Sequence, residues 1–143
     1  MDGGEQLLHD LRERVAASPF HTGMGLRVDA ARAGEVTLSL EAREEQRNLG
    51  GLVHGGVLAT LADMAMGLAV RSAIEPGRRH VTIELGIHYV RATRPGRIHG
   101  VGRVVRVGSQ VAFASAEIRD ISGRLLATAS GTFSVTRERG ADQ

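Results

Sequence analysis

Residues 48–71 read NLGGLVHGGVLATLADMAMGLAVR, and this stretch determines the fold. From Val57 to Val70 the side chains are apolar on nearly every side of a helix, and only Thr60 and Asp63 interrupt them. A helix that is apolar all round is buried. Because this run is shorter than the roughly 20 residues that cross a bilayer, we expect it to be buried inside protein. An ionised carboxylate there is costly unless it is paired, hydrogen-bonded or used in chemistry, so Asp63 is a candidate functional residue.

The start of this helix carries a second signal. Gly55 and Gly56 fall in the predicted first turn, where backbone N–H groups lack intrahelical partners and the positive end of the dipole lies. Residues without a Cβ allow a ligand to approach those donors, and they also permit close packing. Ligand approach and close packing are compatible at these two glycines. The glycine pair at the start of the helix therefore predicts an anion or oxyanion site.

The spacing of His54 and Asp63 constrains how such a site is built. Nine residues of helix correspond to about 13.5 Å of rise and about 180° of rotation. The two side chains therefore cannot meet over one small substrate group if both belong to one helix. If both are functional, two antiparallel copies of the helix are required, and we expect an obligate dimer.

Composition narrows the class of protein. A length of 143 residues predicts one domain, 1–143, and the absence of cysteine excludes disulfides, thiolate zinc sites and a cysteine nucleophile. The acidic, polar start predicts no secretory signal, and we expect a cytoplasmic protein. The chain has arginine but no lysine, a net charge of +2 and 3% aromatic residues, and its arginines are scattered, so we expect no nucleic-acid partner. Three histidines, His80, His88 and His99, are not spaced like metal ligands, so we assign them structural or surface positions. We therefore expect no bound metal. His21 is also expected at the surface, with a position lining a pocket as the alternative.

The remaining chain predicts mainly antiparallel strands. An amphipathic helix is expected at about 5–17, and apolar alternation over 26–42 predicts a hairpin. Residues 41–47 are expected to form a charged loop. Further strands, predicted as a meander, are expected at 81–90, 98–107, 111–120 and 125–136, and a frayed tail at 140–143. The predicted fold class is α+β, with a curved antiparallel sheet of about six strands wrapped around the long helix.

The motif N48-x-x-G51-x-x-H54-G55-G56, followed by L61-A62-D63, resembles the hotdog-fold acyl-CoA thioesterases of the phenylacetate-degradation (PaaI-like) subfamily. The likeness extends to the segments S18-P19-F20, V81-T82-I83-E84-L85, R94-P95-G96, D120-I121-S122-G123-R124 and A129-S130-G131-T132-F133. It implies a hotdog fold, dimers joined edge to edge and usually homotetramers. It also implies hydrolysis of acyl-CoA at two equivalent sites across the dimer interface, with coenzyme A as part of the substrate and no separate cofactor. Many relatives carry histidine where this chain has Gln46.

The resemblance implies a role for each site residue. Asp63 would be the nucleophile or general base, and the Gly55 N–H of the partner subunit would polarise the thioester carbonyl. Asn48 would orient water or the carbonyl, His54 would hold its loop, and Thr82 would lie near the attacking water. Gly56 is assigned as a further substrate contact. Independently of the resemblance, three arginines cluster near a predicted turn and are assigned to the CoA phosphates: Arg91, Arg94 and Arg97.

Each of these residues has a structural alternative. Asp63 would then pair with an arginine or cap a buried network, His54 would only bond the helix start, and Asn48 and Thr82 would be ordinary loop and strand residues. The arginines would belong to a solvated turn. No G-x-S-x-G, P-loop or Rossmann glycine pattern occurs, so a serine hydrolase or nucleotide triphosphatase is not supported.

We therefore predict a homo-oligomeric acyl-CoA thioesterase acting on aryl or medium-chain acyl groups. The alternatives are a non-catalytic acyl-CoA sensor and a hotdog dehydratase.

Overall fold

The computed structural model describes residues 2–139, and the expected tail at 140–143 lies outside them. These described residues contain three α-helices, α1 (Gly3–Ala16), α2 (Pro19–Gly23) and α3 (Gly55–Ala73), and a short 3-10 helix at Glu44–Gln46. The strands are β1 (Arg27–Arg32), β2 (Glu35–Ala42), β3 (Arg78–Tyr89), β4 (Gly96–Val107), β5 (Val111–Asp120) and β6 (Leu125–Arg137). The 3-10 helix lies within residues 41–47, which were predicted to form a charged loop, because the Gln46 side chain accepts the Arg43 N–H and stabilises a single turn that has no apolar periodicity. Ser18 caps the start of the short α2 in the same way.

The six strands form one antiparallel sheet in the order β1-β2-β4-β5-β6-β3. The α+β prediction with a six-stranded sheet around a long helix is confirmed. The prediction of a simple meander is wrong for β3, which pairs with β6 at the far edge of the sheet instead of with β4. Strand alternation does not specify which strand lies alongside, and α3 carries the chain to the opposite edge. In β3 it does not specify the buried face either, because the apolar residues Val81 and Ile83 are exposed.

Helix α3 is the centre of the core. Its buried residues include Leu61, Ala65, Met66 and Val70, and it packs against the inner face of the sheet. The helix is 19 residues long, so the length argument against a membrane span does not hold for it. The argument that α3 is a core helix comes instead from its burial, since 61% of its most apolar 18-residue window is covered by the rest of the chain.

One stripe of α3 is left uncovered by the sheet. Gly56 is exposed, and Ala59, Thr60 and Asp63 are only partly buried. These residues follow one another at helical spacing of three and four, so they share one face. The helix is therefore buried on all sides but one, and Asp63 lies on the open side.

The helix lies unusually close to β4. A Cβ added at Gly102 would fall 2.1 Å from the backbone oxygen of Ala65. Glycine is required there because two backbones come into contact, which fixes the height of α3 above the sheet.

Candidate active site

A hydrogen bond from the neighbouring strand holds Asp63. The Thr82 hydroxyl on β3 donates to Asp63 Oδ1 at 2.8 Å. Among the described residues Asp63 has no other hydrogen-bond donor and no ion-pair partner. The carboxylate therefore keeps an acceptor oxygen for a water or a substrate.

A bulge in β3 lies directly beside this pair. The pairing with β6 passes from Thr82 opposite Phe133 to Glu84 opposite Thr132, so Ile83 is the extra residue. A bulge changes the direction of the side chains around it. The irregularity therefore contributes to aiming Thr82 at the helix.

Asp63 opens onto a cavity of about 230 Å³. One side is the surface of α3, where Met64, Gly67 and Leu68 follow Asp63. The other sides are formed by residues of α2, β3 and β6, namely Phe20, His21, His80, Thr82 and Phe133. Four of the nine lining residues are polar, so the cavity combines apolar walls with polar groups that could orient a small organic molecule.

Two residues of this cavity, His21 and His80, were assigned to other roles from the sequence. His21 was expected at the surface, but it lies half-buried on the cavity wall, where its Nδ1 is 2.6 Å from the Ser18 hydroxyl. His80 lies two residues before Thr82 on β3, and residues two apart on a strand point to the same face of the sheet. This two-residue spacing from Thr82 was the feature of the sequence that could have identified His80 as a cavity residue. The sequence around His21 has no comparable feature.

Burial lowers the pKa of both histidines below the usual 6.5. For His80 the positive charges of Arg71 and then Arg14 lower the pKa further, while Asp63 raises it. Both imidazoles are therefore neutral at pH 7, and each carries one N–H donor and one acceptor nitrogen.

The start of α3 is organised as the sequence predicts. His54 is the N-cap, and its Nδ1 accepts the Gly56 N–H at 2.9 Å. Among the described residues the N–H of Gly55 has no acceptor, as expected for the first residue of a helix. Tyr89 donates from its hydroxyl to the Gly55 carbonyl at 2.9 Å, and its ring would lie 3.0 Å from a Cβ at Gly55. The Gly55 donor is thus available, and Tyr89 holds the residue that carries it.

Asn48 shapes the loop that precedes the helix. Its side-chain oxygen accepts the N–H groups of Gly50 and Leu52 at 2.9 and 3.0 Å. The side-chain NH₂ of Asn48 is left to donate to another group. Asn48 and Gly55 line one cleft with Tyr89, whereas His54 and Gly56 line a different cavity with Thr60.

A single chain does not bring the two halves of the expected site together. Neither the cleft beside Gly55 nor the cavity beside His54 contains Asp63 or Thr82. The structure therefore unites Asp63 with Thr82 and separates both from the helix start.

The three candidate arginines are divided between two depressions. Arg91 lines the cleft beside Gly55, while Arg94 and Arg97 line a neighbouring cavity with Asp120 and Arg124. Arg97 also donates to the Ser39 hydroxyl at 3.1 Å and lies 3.8 Å from Asp29. Arg91 and Arg94 are exposed and form no ion pair among residues 2–139.

The family match and the similar proteins agree with one another. The family model "Thioesterase superfamily" matches residues 50–127. A putative esterase of Pseudomonas aeruginosa is 38% identical over 110 residues, which is 75% of this chain and 78% of that protein. The 1,4-dihydroxy-2-naphthoyl-CoA hydrolase of Escherichia coli is 33% identical over 91 residues, which is 64% of this chain and 65% of that protein.

A solved structure supports the fold. The Escherichia coli PaaI protein, from the phenylacetic acid degradation operon, superposes with a TM-score of 0.85 at 19% identity, covering 97% of this chain and 98% of that one. The curved sheet around a central helix is the hotdog fold, as the sequence predicts.

Proposed function

The chain belongs to the thioesterase superfamily and is a thioester hydrolase, and from this premise we propose that it hydrolyses acyl-CoA thioesters at sites shared by two subunits. The observation that carries the proposal is the position of Asp63. This carboxylate faces a cavity from an otherwise apolar helix and is held by Thr82 alone among the described residues. A purely structural aspartate would be expected to have its acceptor oxygens satisfied.

The proposed dimer is supported by surfaces that one chain leaves open. Strand β3 is a twelve-residue sheet edge, and Val81 and Ile83 on it are 53% and 61% exposed. Long apolar edge strands are normally covered. Pairing of β3 with its copy in a second subunit would cover the edge. The uncovered stripe of α3 that contains Ala59 and Asp63 would then be able to meet the partner's helix.

We propose a tetramer because the outer face of the sheet carries exposed apolar residues. Val105 and Phe113, on β4 and β5, are exposed apolar residues there. Two dimers packed through such faces would remove these side chains from water. The resemblance of the sequence to PaaI-like thioesterases supports the same assembly.

In the proposed mechanism the partner subunit donates the Gly55 N–H to the thioester carbonyl. As the carbonyl carbon is attacked, negative charge develops on its oxygen, and one preorganised donor at this place is typically worth about 2.7–4 kcal/mol. Asp63 either takes a proton from a water that attacks the carbon, or attacks the carbon itself to form a mixed anhydride that water then opens. Thr82 orients the carboxylate in both versions. The carbon–sulfur bond breaks, and CoA leaves as a thiol once its sulfur is protonated.

The helix start completes the proposed site. Asn48 would donate from its NH₂ to the carbonyl or to the water, and His54 would fix the turn that presents Gly55 and Gly56. No cofactor or metal is needed for this reaction. Arg91 and Arg94 are proposed to contact CoA phosphates. Arg97 is a weaker candidate because Ser39 and Asp29 already contact it.

The acyl group is proposed to be aryl or medium-chain. The cavity beside Asp63 has room for a small ring, and Phe20, Met64 and Phe133 give it apolar walls. The E. coli relative is named 1,4-dihydroxy-2-naphthoyl-CoA hydrolase, which has an aryl acyl group, and the sequence motif resembles that of PaaI-like thioesterases. We propose a cytoplasmic location, where acyl-CoA substrates are made.

The experiment is a thiol-release panel. The protein is incubated with phenylacetyl-CoA and with fatty acyl-CoAs of increasing length, and free CoA thiol is followed with a chromogenic reagent. We expect turnover of at least one ester, and a decrease of two orders of magnitude or more in Asp63→Asn while the oligomer stays folded. Tight binding without thiol release from any ester would favour the sensor instead, and wild-type turnover in Asp63→Asn would refute the role of Asp63.

A further inference from the structure

Strand β3 contacts both halves of the proposed site. Near its start, the Thr82 hydroxyl donates to Asp63 Oδ1 at 2.8 Å. At its end, the Tyr89 hydroxyl donates to the Gly55 carbonyl at 2.9 Å. Two positions on one edge strand are therefore tied to the acid and to the residue that carries the oxyanion donor.

Both contacts lie on the inner face of the sheet. Thr82 and Tyr89 pair on β6 with Phe133 and Ala127, which are both buried. Residues seven apart on a regular strand would point to opposite faces. The extra residue Ile83 removes this difference, so the bulge places both contacts on the same side of β3.

The shared site then determines how two β3 strands align. For Gly55 of the partner subunit to reach Asp63, Tyr89 of the partner subunit has to lie beside Thr82. The residues of β6 opposite Thr82 and Tyr89 are six apart, so the midpoint is three strand steps from each, at Gly86. An antiparallel pair of β3 strands about a two-fold axis therefore places Gly86 opposite its own copy.

This alignment brings two polar side chains together across the interface. Residues equally distant from Gly86 oppose one another, so Glu84 of each subunit faces His88 of the other. Both side chains are exposed on the outer face, and the residues opposite them on β6 are the uncharged Thr132 and Thr128. Within residues 2–139 neither Glu84 nor His88 forms an ion pair. Each is therefore available to a second subunit.

Neighbouring alignments lose this complementarity. A pair of strands centred on Leu85 would place Glu84 opposite Gly86. A pair centred on Ile87 would place His88 opposite Gly86. Only the alignment centred on Gly86 matches the carboxylate with the imidazole, and it is the same alignment that the shared site requires.

We propose that Glu84 and His88 pair across the subunit interface, twice in each dimer, and set the register that brings Gly55 of one subunit to Asp63 of the other. This inference rests on the proposed shared site and identifies the side chains that align the two subunits. An imidazole carries an N–H donor whether it is neutral or protonated, so it can donate to the Glu84 carboxylate in either state. Side chains directly opposite each other on neighbouring strands are close enough to interact.

The first test is disulfide cross-linking. The chain has no cysteine, so an introduced cysteine is its only thiol. Gly86→Cys should fold, because a Cβ there would lie 3.7 Å from the Ser130 hydroxyl. Directly opposed residues have Cα atoms about 4.5–5.5 Å apart, within the range of a disulfide. We expect mild oxidation to link Gly86→Cys subunits into covalent dimers.

Leu85→Cys and Ile87→Cys are the matched controls. In the proposed register each is displaced by two residues from its own copy, which separates the Cα atoms by about 8 Å, too far for a disulfide. We expect little cross-linking of either. A link in one of these variants and not in Gly86→Cys would overturn the register, as would a sedimenting dimer that none of the three cysteines links.

The second test is charge reversal. His88→Glu opposes two carboxylates in each pair, and we expect the dimer dissociation constant to rise about tenfold. Adding Glu84→Arg in the same chain restores opposite charges and should recover most of the affinity. Glu84 and His88 lie about 13 Å apart on one strand, so such rescue has to act between subunits. His9→Glu on exposed α1 makes the same charge change and should leave the dimer unaffected.

Sedimentation and cross-linking are read without substrate, so they separate this inference from the proposed reaction. Unchanged dimer affinity in His88→Glu, or a loss that Glu84→Arg does not rescue, would overturn the pair while the hydrolase proposal stands. Absence of thiol release from every ester would overturn the hydrolase proposal and leave the register to be decided by the cross-links. A monomeric wild type would overturn both the register and the shared site.

Discussion

Replacing Thr82 by valine removes one hydroxyl and tests whether the Asp63 carboxylate needs to be oriented. Valine has nearly the same shape as threonine and favours strands, so β3 is expected to form normally. The lost interaction is the 2.8 Å hydrogen bond from the hydroxyl to Asp63 Oδ1. Hydrogen bonds to charged groups contribute about 1.5–3 kcal/mol. Because Thr82 is only half-buried, we take the lower part of this range, about 1.5–2 kcal/mol, and expect a decrease in kcat of about 10- to 30-fold.

The assay is steady-state thiol release with the best ester of the panel. Thr82→Ser is the matched control, since it keeps the hydroxyl and loses only a methyl group, and it should retain most of the activity. Thermal unfolding of both variants checks that the fold is intact. A Thr82→Val enzyme within about twofold of the wild type, which corresponds to less than about 0.5 kcal/mol, would refute the orienting role. Equal losses in the two variants would show that the methyl group matters and the hydroxyl does not.

Two further predictions concern stability. Gly102→Ala places a Cβ 2.1 Å from the Ala65 backbone oxygen, so we expect about 3 kcal/mol or more of destabilisation or failure to fold. Gly86→Ala, whose Cβ would lie 3.7 Å from the Ser130 hydroxyl, should fold normally, and similar melting temperatures for the two would contradict the close approach of α3 and β4. Burial lowers the pKa of His80 below its usual 6.5, so the unfolded chain takes up the proton first, and stability is complete above about pH 6.5 and decreases below it. Denaturant titrations should show a smaller decrease on acidification for His80→Gln, and an equal decrease would argue against the buried neutral ring.

The central helix and its acid were predictable because their signals are local. An apolar run with one carboxylate and a glycine-led start identifies α3, Asp63 and Gly55 without knowledge of any neighbour. Strand β5 was predicted with its observed ends, Val111 and Asp120, because turn residues mark both. Such signals depend only on adjacent residues.

The features that the sequence left open depend on distant contacts. The pairing of β3 with β6 and the bulge at Ile83 arise from alignment of strands far apart in the chain. His80 becomes a cavity residue only because Gly67 on another element leaves space beneath its ring. The position of His80 two residues before Thr82 indicates the side of β3 to which it points, but not what it faces. The separation of Asp63 from the helix start was predictable from helix geometry, since it follows from sequence distance alone.

Each proposed site combines Asp63 of one subunit with Gly55 of the other. Subunit complementation tests this combination directly. Asp63→Asn removes the acid, and Gly55→Pro removes the N–H donor at a helix position where proline is tolerated. The ψ of 136° at His54 suits a residue before proline, and the half-exposed Tyr89 ring is able to move aside.

The measurement is the thiol-release activity of a mixture of the two inactive variants, co-expressed or refolded together. If the sites are shared, each mixed dimer contains one intact site, because its wild-type Asp63 meets a wild-type Gly55 across the interface. About half of randomly formed dimers are mixed, so we predict recovery of about a quarter of wild-type activity. A mixture no more active than its two parents, with mixed dimers shown to be present, would contradict the shared site.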